Sequence, residues 1–76
     1  MKELLTYIIQ SLVENPDEVS VTERKAEGET VFEVRVAEGD MGKVIGRQGR
    51  IAKEIRTVVR SYAQRTGVKA SVDIVD

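Results

Sequence analysis

The sequence predicts an α+β fold in which three helices pack on one face of a three-stranded sheet. Three observations predict it: apolar residues recur at helical spacing in three segments, they alternate with polar residues in three others, and the segments follow the order αββααβ. The chain has 76 residues, of which 41% are hydrophobic. Because a chain of this length has room for only one hydrophobic core, we expect a single domain over residues 1–76.

The first half of the chain predicts one helix followed by a hairpin. Between Lys2 and Glu14 six apolar residues recur at helical spacing, and Asn15-Pro16-Asp17 then supplies a stop and a turn. Two alternating segments follow, and the turn Ala26-Glu27-Gly28-Glu29 separates them, which is typical of an antiparallel hairpin. The helical apolar residues are Leu4, Leu5, Ile8, Ile9, Leu12 and Val13, and the alternating ones are Val19, Val21, Phe32, Val34 and Val36.

The second half predicts a short helix, a long helix and a last strand. The short helix runs from Met41 to Ile45 with Asp40 as its N-cap, and the long one runs from Arg50 to Arg65. Thr66-Gly67 is typical of a helix end, and alternation from Val68 to Ile74 indicates the strand. On the long helix we expect an apolar face of Ile51, Ile55, Val58, Val59 and Tyr62 opposite a basic face of Arg50, Lys53, Arg56 and Arg60.

The absence of cysteine and histidine excludes several classes of chemistry. Without them the chain cannot build a Cys/His zinc site, a disulfide or an imidazole acid-base centre, so we expect no enzyme activity, no metal and no cofactor. No apolar run approaches the roughly 18 residues that a membrane span needs, and the N-terminal segment carries acidic residues without a small-residue cleavage site. We therefore expect a cytoplasmic protein that does not enter a membrane.

The net charge of −1 conceals a strong segregation of charge along the chain. Residues 1–41 hold four basic and ten acidic residues, a net charge of −6, whereas residues 42–66 hold seven basic residues and one acidic residue, a net charge of +6. Such asymmetry creates a local anion-binding face on a nearly neutral molecule. A low isoelectric point therefore does not exclude nucleic acid as a ligand.

The segment Val44-Ile45-Gly46-Arg47-Gln48-Gly49-Arg50-Ile51 carries the strongest functional signal. Its two glycines can adopt positive φ, and the amides and dipole at the start of the following helix favour a phosphate there. A Gly-x-x-Gly alone often marks only a tight turn between helices, but the apolar pair before it, the surrounding cations and the order of elements favour a phosphate clamp. The spacing of Gly42, Gly46 and Gly49 matches neither of the common nucleotide-binding motifs.

This segment resembles the signature of the KH-domain family, Val-Ile-Gly-x-x-Gly-x-x-Ile. The matching positions are Val44, Ile45, Gly46, Gly49 and Ala52, with Ile51 beside the last of them. The order of elements resembles the type II KH arrangement over the whole chain, and its length resembles the stand-alone bacterial KH domains of the KhpA family. The resemblance implies an RNA chaperone or post-transcriptional regulator that binds messenger or small RNA. It also implies that the protein acts with a second, KhpB-like KH protein. Finally, it implies a link to cell shape, cell wall biogenesis and envelope homeostasis.

The same resemblance implies which residues contact RNA. The loop Gly46-Arg47-Gln48-Gly49 is expected to clamp about four single-stranded nucleotides, with phosphates held by the amides of residues 46–50 and by the side chains of Lys43, Arg47 and Lys53. The bases are expected to turn into a groove between the helices and the sheet edge. Val44 and Ile45 either anchor the loop from below or line that groove together with Val34. Arg47 is the first candidate for a charge contact, and Gln48 for a hydrogen bond to a phosphate or ribose oxygen. The predicted RNA-binding residues are Lys43, Val44, Ile45, Gly46, Arg47, Gln48, Gly49, Arg50 and Lys53.

Two questions stay open from the sequence. Arg56 and Arg60 fit either RNA contact or a solvated helix face. The chain also fits a protein-interaction module that dimerises through an exposed apolar patch, either instead of binding RNA or in addition to it. Because one KH domain contacts few nucleotides, we expect a homodimer or a heterodimer to supply a second domain. The three aromatic residues, Tyr7, Phe32 and Tyr62, are expected in the core.

Overall fold

A computed structural model of the chain describes residues 1–75. The order αββααβ is confirmed, and short 3₁₀ turns at Pro16–Glu18, Glu38–Asp40 and Arg47–Gly49 connect the elements. The helices are α1 (Lys2–Leu12), α2 (Met41–Ile45) and α3 (Arg50–Thr66), and the strands are β1 (Ser20–Ala26), β2 (Glu29–Arg35) and β3 (Lys69–Val75). No helix within residues 1–75 is both long and apolar enough to cross a membrane.

The sheet is mixed, with β2 in the centre. β1 pairs with β2 in antiparallel register, with Val21 opposite Val34, and β3 pairs with β2 in parallel register, with Val72 opposite Phe32. The hairpin turn has Glu27 at φ 48° and Gly28 at φ 79°, the two positive φ angles that a two-residue type I′ turn requires. The parallel pair forces the chain to cross over the sheet between β2 and β3, and this crossover contains α2 and α3.

The core lies between one face of the sheet and the helices. Inward side chains of the strands and the apolar sides of all three helices form one buried cluster. The opposite face of the sheet carries charged residues, including an Arg24 to Glu33 ion pair of 3.3 Å between β1 and β2. The buried cluster consists of Leu5, Ile9, Val21, Phe32, Val34, Val44, Ile55, Val59 and Val72.

The buried face of α3 differs from the predicted one. Ala52 and Ala63 are buried together with Ile55 and Val59, whereas Val58 and Tyr62 are 44% and 42% exposed. The residues that face the sheet therefore include two alanines, because small side chains let a helix lie close to a sheet while larger apolar ones are displaced to its flank. The expectation of a core position is confirmed for Phe32 and is wrong for Tyr62 and for Tyr7, which is 69% exposed.

The end of α3 is built as the sequence predicts. Gly67 adopts the left-handed conformation, with φ 75° and ψ 20°. The amide of Val68 donates to the Ala63 carbonyl at 3.0 Å, and the amide of Gly67 donates to the Gln64 carbonyl at 3.4 Å. These bonds satisfy carbonyls that a helix end leaves without partners and turn the chain directly into β3.

Candidate nucleic-acid interface

The loop between α2 and α3 has a backbone that glycine makes possible. Gly46 has φ 77° and ψ 175°, Gln48 has φ 58° and ψ 26°, and Gly49 has φ 73° and ψ 14°. Three of the four residues of the Gly-x-x-Gly motif thus have positive φ, as expected for its two glycines. The chain reverses its direction sharply in this loop, so the end of α2 and the start of α3 lie next to each other at the surface.

Gly46 is required by space as well as by its backbone angles. A Cβ atom at this position would lie 2.6 Å from Cγ1 of Ile51 and 2.9 Å from its Cβ. No heavy atom lies within 4 Å of the corresponding position at Gly49. Ile51, at the start of α3, therefore packs directly against the loop backbone and fixes its position.

Two of the loop amides are available to a ligand. The Gly46 amide donates to the Gly42 carbonyl at 2.9 Å, the Gly49 amide donates to the Gly46 carbonyl at 3.2 Å, and the Arg50 amide donates to the Arg47 carbonyl. Within residues 1–75 the amides of Arg47 and Gln48 have no such acceptor. Of the five amides predicted to hold phosphates, those of Gly46, Gly49 and Arg50 therefore already donate within the turn, whereas those of Arg47 and Gln48 do not.

Exposed cations surround these two amides. Lys43, Arg47, Arg50 and Lys53 all reach the surface, and Gln48 is exposed at the tip of the loop. In the described part of the chain, Lys43 is the only one of these four cations in an ion pair, with Glu14 at 3.8 Å. The positive end of the α3 dipole points at the same place because α3 begins at Arg50. Amides without an acceptor, a helix N-terminus and nearby cations are together the features that favour an anion.

Some of the apolar residues beside the loop are buried beneath it, and others are exposed next to it. Val44 and Val34 are completely buried, so neither side chain lines a groove, and of the two roles predicted for Val44 the anchor below the loop is the one that agrees with its burial. Val44 belongs to the core cluster and anchors α2 from below. Ile45 is 38% exposed and is the apolar side chain of α2 that a ligand next to the loop can reach.

Arg56 and Arg60 continue the exposed basic side of α3 away from the loop. Arg60 lines an open depression of about 360 Å³ beside β3, together with Gln64, Lys69 and Ser71. A second cleft, of about 290 Å³, also lies near the C-terminal end of α3, between Met1, Phe32 and Tyr62, and contains none of the nine predicted RNA-binding residues. The cationic surface that begins at the loop therefore extends along α3 toward the edge strand β3.

Asp40 holds the helix that leads into the loop. It occupies the N-cap position of α2 as predicted, but its side chain makes no cap hydrogen bond. Instead the carboxylate, which is 1% exposed, accepts hydrogen bonds from the Glu14 amide at 3.2 Å and the Asn15 amide at 3.0 Å, and from Asn15 Nδ2 at 3.1 Å. Asp40 thereby ties the end of α1 to the start of α2. Sequence reasoning missed this role because the partners lie 25 and 26 residues away.

This arrangement makes the Asp40 carboxyl more acidic than usual. Burial of the carboxyl raises its pKa. The hydrogen bonds from Glu14 and Asn15 and the charge of Lys43 lower the pKa by more than burial raises it, so the pKa lies below its ordinary value. The ionised form is therefore the one that stabilises the fold. Its contribution is fully present above the pKa of an unfolded aspartate, about 3.9, and is lost as the pH falls through the lower folded-state pKa.

We expect Asp40→Asn to melt at a lower temperature than the wild type at pH 7, because an amide nitrogen would replace a buried oxygen that accepts hydrogen bonds from neighbouring nitrogens of Glu14 or Asn15. The difference in Tm should shrink as the pH falls below the pKa of an unfolded aspartate, about 3.9, and through the lower folded-state pKa of the Asp40 carboxyl. Thermal melts followed by circular dichroism across this range provide the measurement. A difference in Tm that stays constant over the whole acid range in which the wild type remains folded would show that the charge of Asp40 does not stabilise the fold.

The fold and the loop together define a class of protein. An αββααβ chain with a mixed three-stranded sheet and a Gly-x-x-Gly turn between its second and third helices is a type II KH domain. The chain belongs to the KhpA/KhpB KH-domain family, whose model matches residues 2–74.

Relatives in several bacteria are similar over nearly their whole length. A protein from Clostridium acetobutylicum is 51% identical over 75 residues, covering 99% of this chain and all of the relative. One from Chlamydia trachomatis is 45% identical over 76 residues, covering all of this chain and 97% of the relative. Both are named RNA-binding protein KhpA, a name that denotes a binding protein and not an enzyme.

The fold also occurs in a larger protein of known structure. Era in complex with MgGDPNP and nucleotides 1506–1542 of 16S ribosomal RNA matches 96% of this chain with a TM-score of 0.67 and 20% identity. This chain spans 28% of the length of that Era chain. At this identity the similarity shows the fold alone.

Proposed function

We propose that this chain binds single-stranded RNA through the loop Gly46-Arg47-Gln48-Gly49, holding about four nucleotides. The observation that carries the proposal is the pair of amides of Arg47 and Gln48, two exposed residues just before α3, which donate to no backbone acceptor within residues 1–75 and have exposed cations beside them. Phosphates bind where such amides and a helix N-terminus converge. The names of the relatives, which are RNA-binding proteins, support the same function.

The surroundings of the loop suggest how the strand lies on the domain. Arg47, Arg50 and Lys53 contact phosphates on the α3 side, and the exposed part of Ile45 packs against a base or ribose. Arg56 and Arg60 extend the cationic path along α3, which favours RNA contact over a purely solvated face for these two residues. The negative charges of the acidic residues on α1 and on the hairpin repel RNA phosphates from the rest of the surface.

The cellular role that we propose is that of a cytoplasmic RNA chaperone or post-transcriptional regulator acting on messenger or small RNA. A single domain contacts few nucleotides, so useful affinity requires a second domain, from another copy of this chain or from a KhpB-like protein. Exposed apolar side chains on α1 and α3, namely Leu4, Tyr7, Val58 and Tyr62, support a protein interaction in addition to RNA binding. The family resemblance suggests a link to cell shape, cell wall biogenesis and envelope homeostasis.

The dependence of binding on salt tests RNA binding by the loop. Three phosphate contacts to a single strand predict a slope near −2 for the logarithm of the association constant against the logarithm of the salt concentration. Fluorescence anisotropy of a labelled single-stranded RNA, titrated at several salt concentrations, measures this slope. Either no binding or a slope near zero would contradict the proposal and favour a protein-interaction module that associates through its apolar side chains.

A further inference from the structure

One cation beside the loop already has an acidic neighbour. The Lys43 ammonium lies 3.8 Å from the Glu14 carboxylate, with the two side chains 42% and 77% exposed. In the described residues the other three cations at the loop, Arg47, Arg50 and Lys53, form no ion pair. Lys43 therefore differs from them, because its charge is partly neutralised before any ligand arrives.

The position of Glu14 is imposed by the fold. Glu14 follows α1 in a connecting segment, but its amide donates to the buried Asp40 carboxylate at 3.2 Å, and the next amide does the same at 3.0 Å. Asp40 immediately precedes α2, the helix that carries Lys43. The same contact that joins α1 to α2 thus holds the Glu14 backbone next to Lys43.

We propose that Glu14 competes with an RNA phosphate for Lys43 and so determines the affinity of the loop for RNA. The inference rests on the proposed function, since it concerns the same site. A phosphate that approaches Lys43 either displaces the Glu14 carboxylate or meets its negative charge at short range. Both reduce the net gain from the Lys43 contact, so the wild-type chain binds RNA less tightly than its number of cations alone predicts.

The test compares Glu14→Gln with Glu3→Gln in RNA titrations. Both variants remove one negative charge from the α1 segment, but Glu3 lies at its other end and is 93% exposed. We expect Glu14→Gln to bind a labelled single-stranded RNA about threefold more tightly than the wild type, as is typical for one exposed ion pair, and Glu3→Gln to change affinity less than about 1.5-fold. Equal changes in the two variants would overturn the inference, because they would reflect net charge alone.

A double-mutant cycle with Lys43→Gln separates the pair from its surroundings. Lys43→Gln should weaken RNA binding, and in that background Glu14→Gln should no longer tighten it. A gain that persists without Lys43 would overturn the inference. If the wild type binds no RNA, the proposed function fails and this inference fails with it, whereas RNA binding that does not respond to Glu14→Gln overturns the inference alone.

Discussion

Gly46→Ala is expected to lower the free energy of unfolding by about 3 kcal/mol, a large part of the stability of a domain of this size. Two effects add. The new Cβ would lie 2.6 Å from Ile51 Cγ1, so Ile51 or the loop must shift. The backbone at φ 77° and ψ 175° also lies in a region that is essentially restricted to glycine. Chemical denaturation followed by circular dichroism measures the change.

Gly49→Ala is the matched control for this prediction. Gly49 also has positive φ, but in the left-handed helical region, with no heavy atom within 4 Å of a new Cβ. Its substitution should therefore destabilise by only about 1 kcal/mol. If the two variants lose equal stability, positive φ alone accounts for both glycines and the contact with Ile51 is unimportant.

Arg47→Asp combined with Gln48→Asp is expected to weaken RNA binding by about 100-fold while leaving the domain folded. The variant removes a cation and places two negative charges beside the two exposed amides, where a phosphate would lie. Gln48 has φ 58°, in a region that aspartate tolerates better than most residues, and both glycines are retained. The fold should therefore survive. Fluorescence anisotropy gives the affinity, and circular dichroism confirms that the variant is folded.

The order of elements and the position of the loop could be predicted because each depends on residues close together in sequence. The periodicity of α1, the turn at Glu27-Gly28 and the end of α3 at Gly67 are local signals, and the structure confirms each of them. The positive φ of Gly46 and Gly49 follows from the same kind of local reasoning. The sequence and the family resemblance together therefore led to the KH fold and located its loop.

Features that depend on packing could not be predicted in this way. The helical periodicity predicted that Val58 and Tyr62 are buried on α3, but Ala52 and Ala63 are buried there and Val58 and Tyr62 are not. The loop motif left open whether Val44 anchors the loop from below or lines a groove, and only its complete burial in the fold decides for the anchor. Size and geometry decide which apolar residue faces a sheet, and neither can be obtained from periodicity alone.

The polar contacts between segments that are distant in sequence could not be predicted either. No local signal pairs Asp40 with Asn15 or places Glu14 beside Lys43, because the chain must first bring the end of α1 to the start of α2. Similarly, only the hydrogen bonds of the turn distinguish the exposed amides of Arg47 and Gln48 from those that are already occupied. These details determine how the loop can hold an anion.

The most direct test of RNA binding by the loop compares the wild type, the double Asp variant at Arg47 and Gln48, and Gln64→Asp/Arg65→Asp in one RNA titration. The last variant makes the same change of residue types and of net charge at exposed positions on the opposite end of α3. We predict that the loop variant loses about 100-fold in affinity and that the control, which lies beside Arg60 at the far end of the cationic path, loses no more than about tenfold. Equal losses in the two folded variants, or no loss in the loop variant, would contradict an RNA site at the loop.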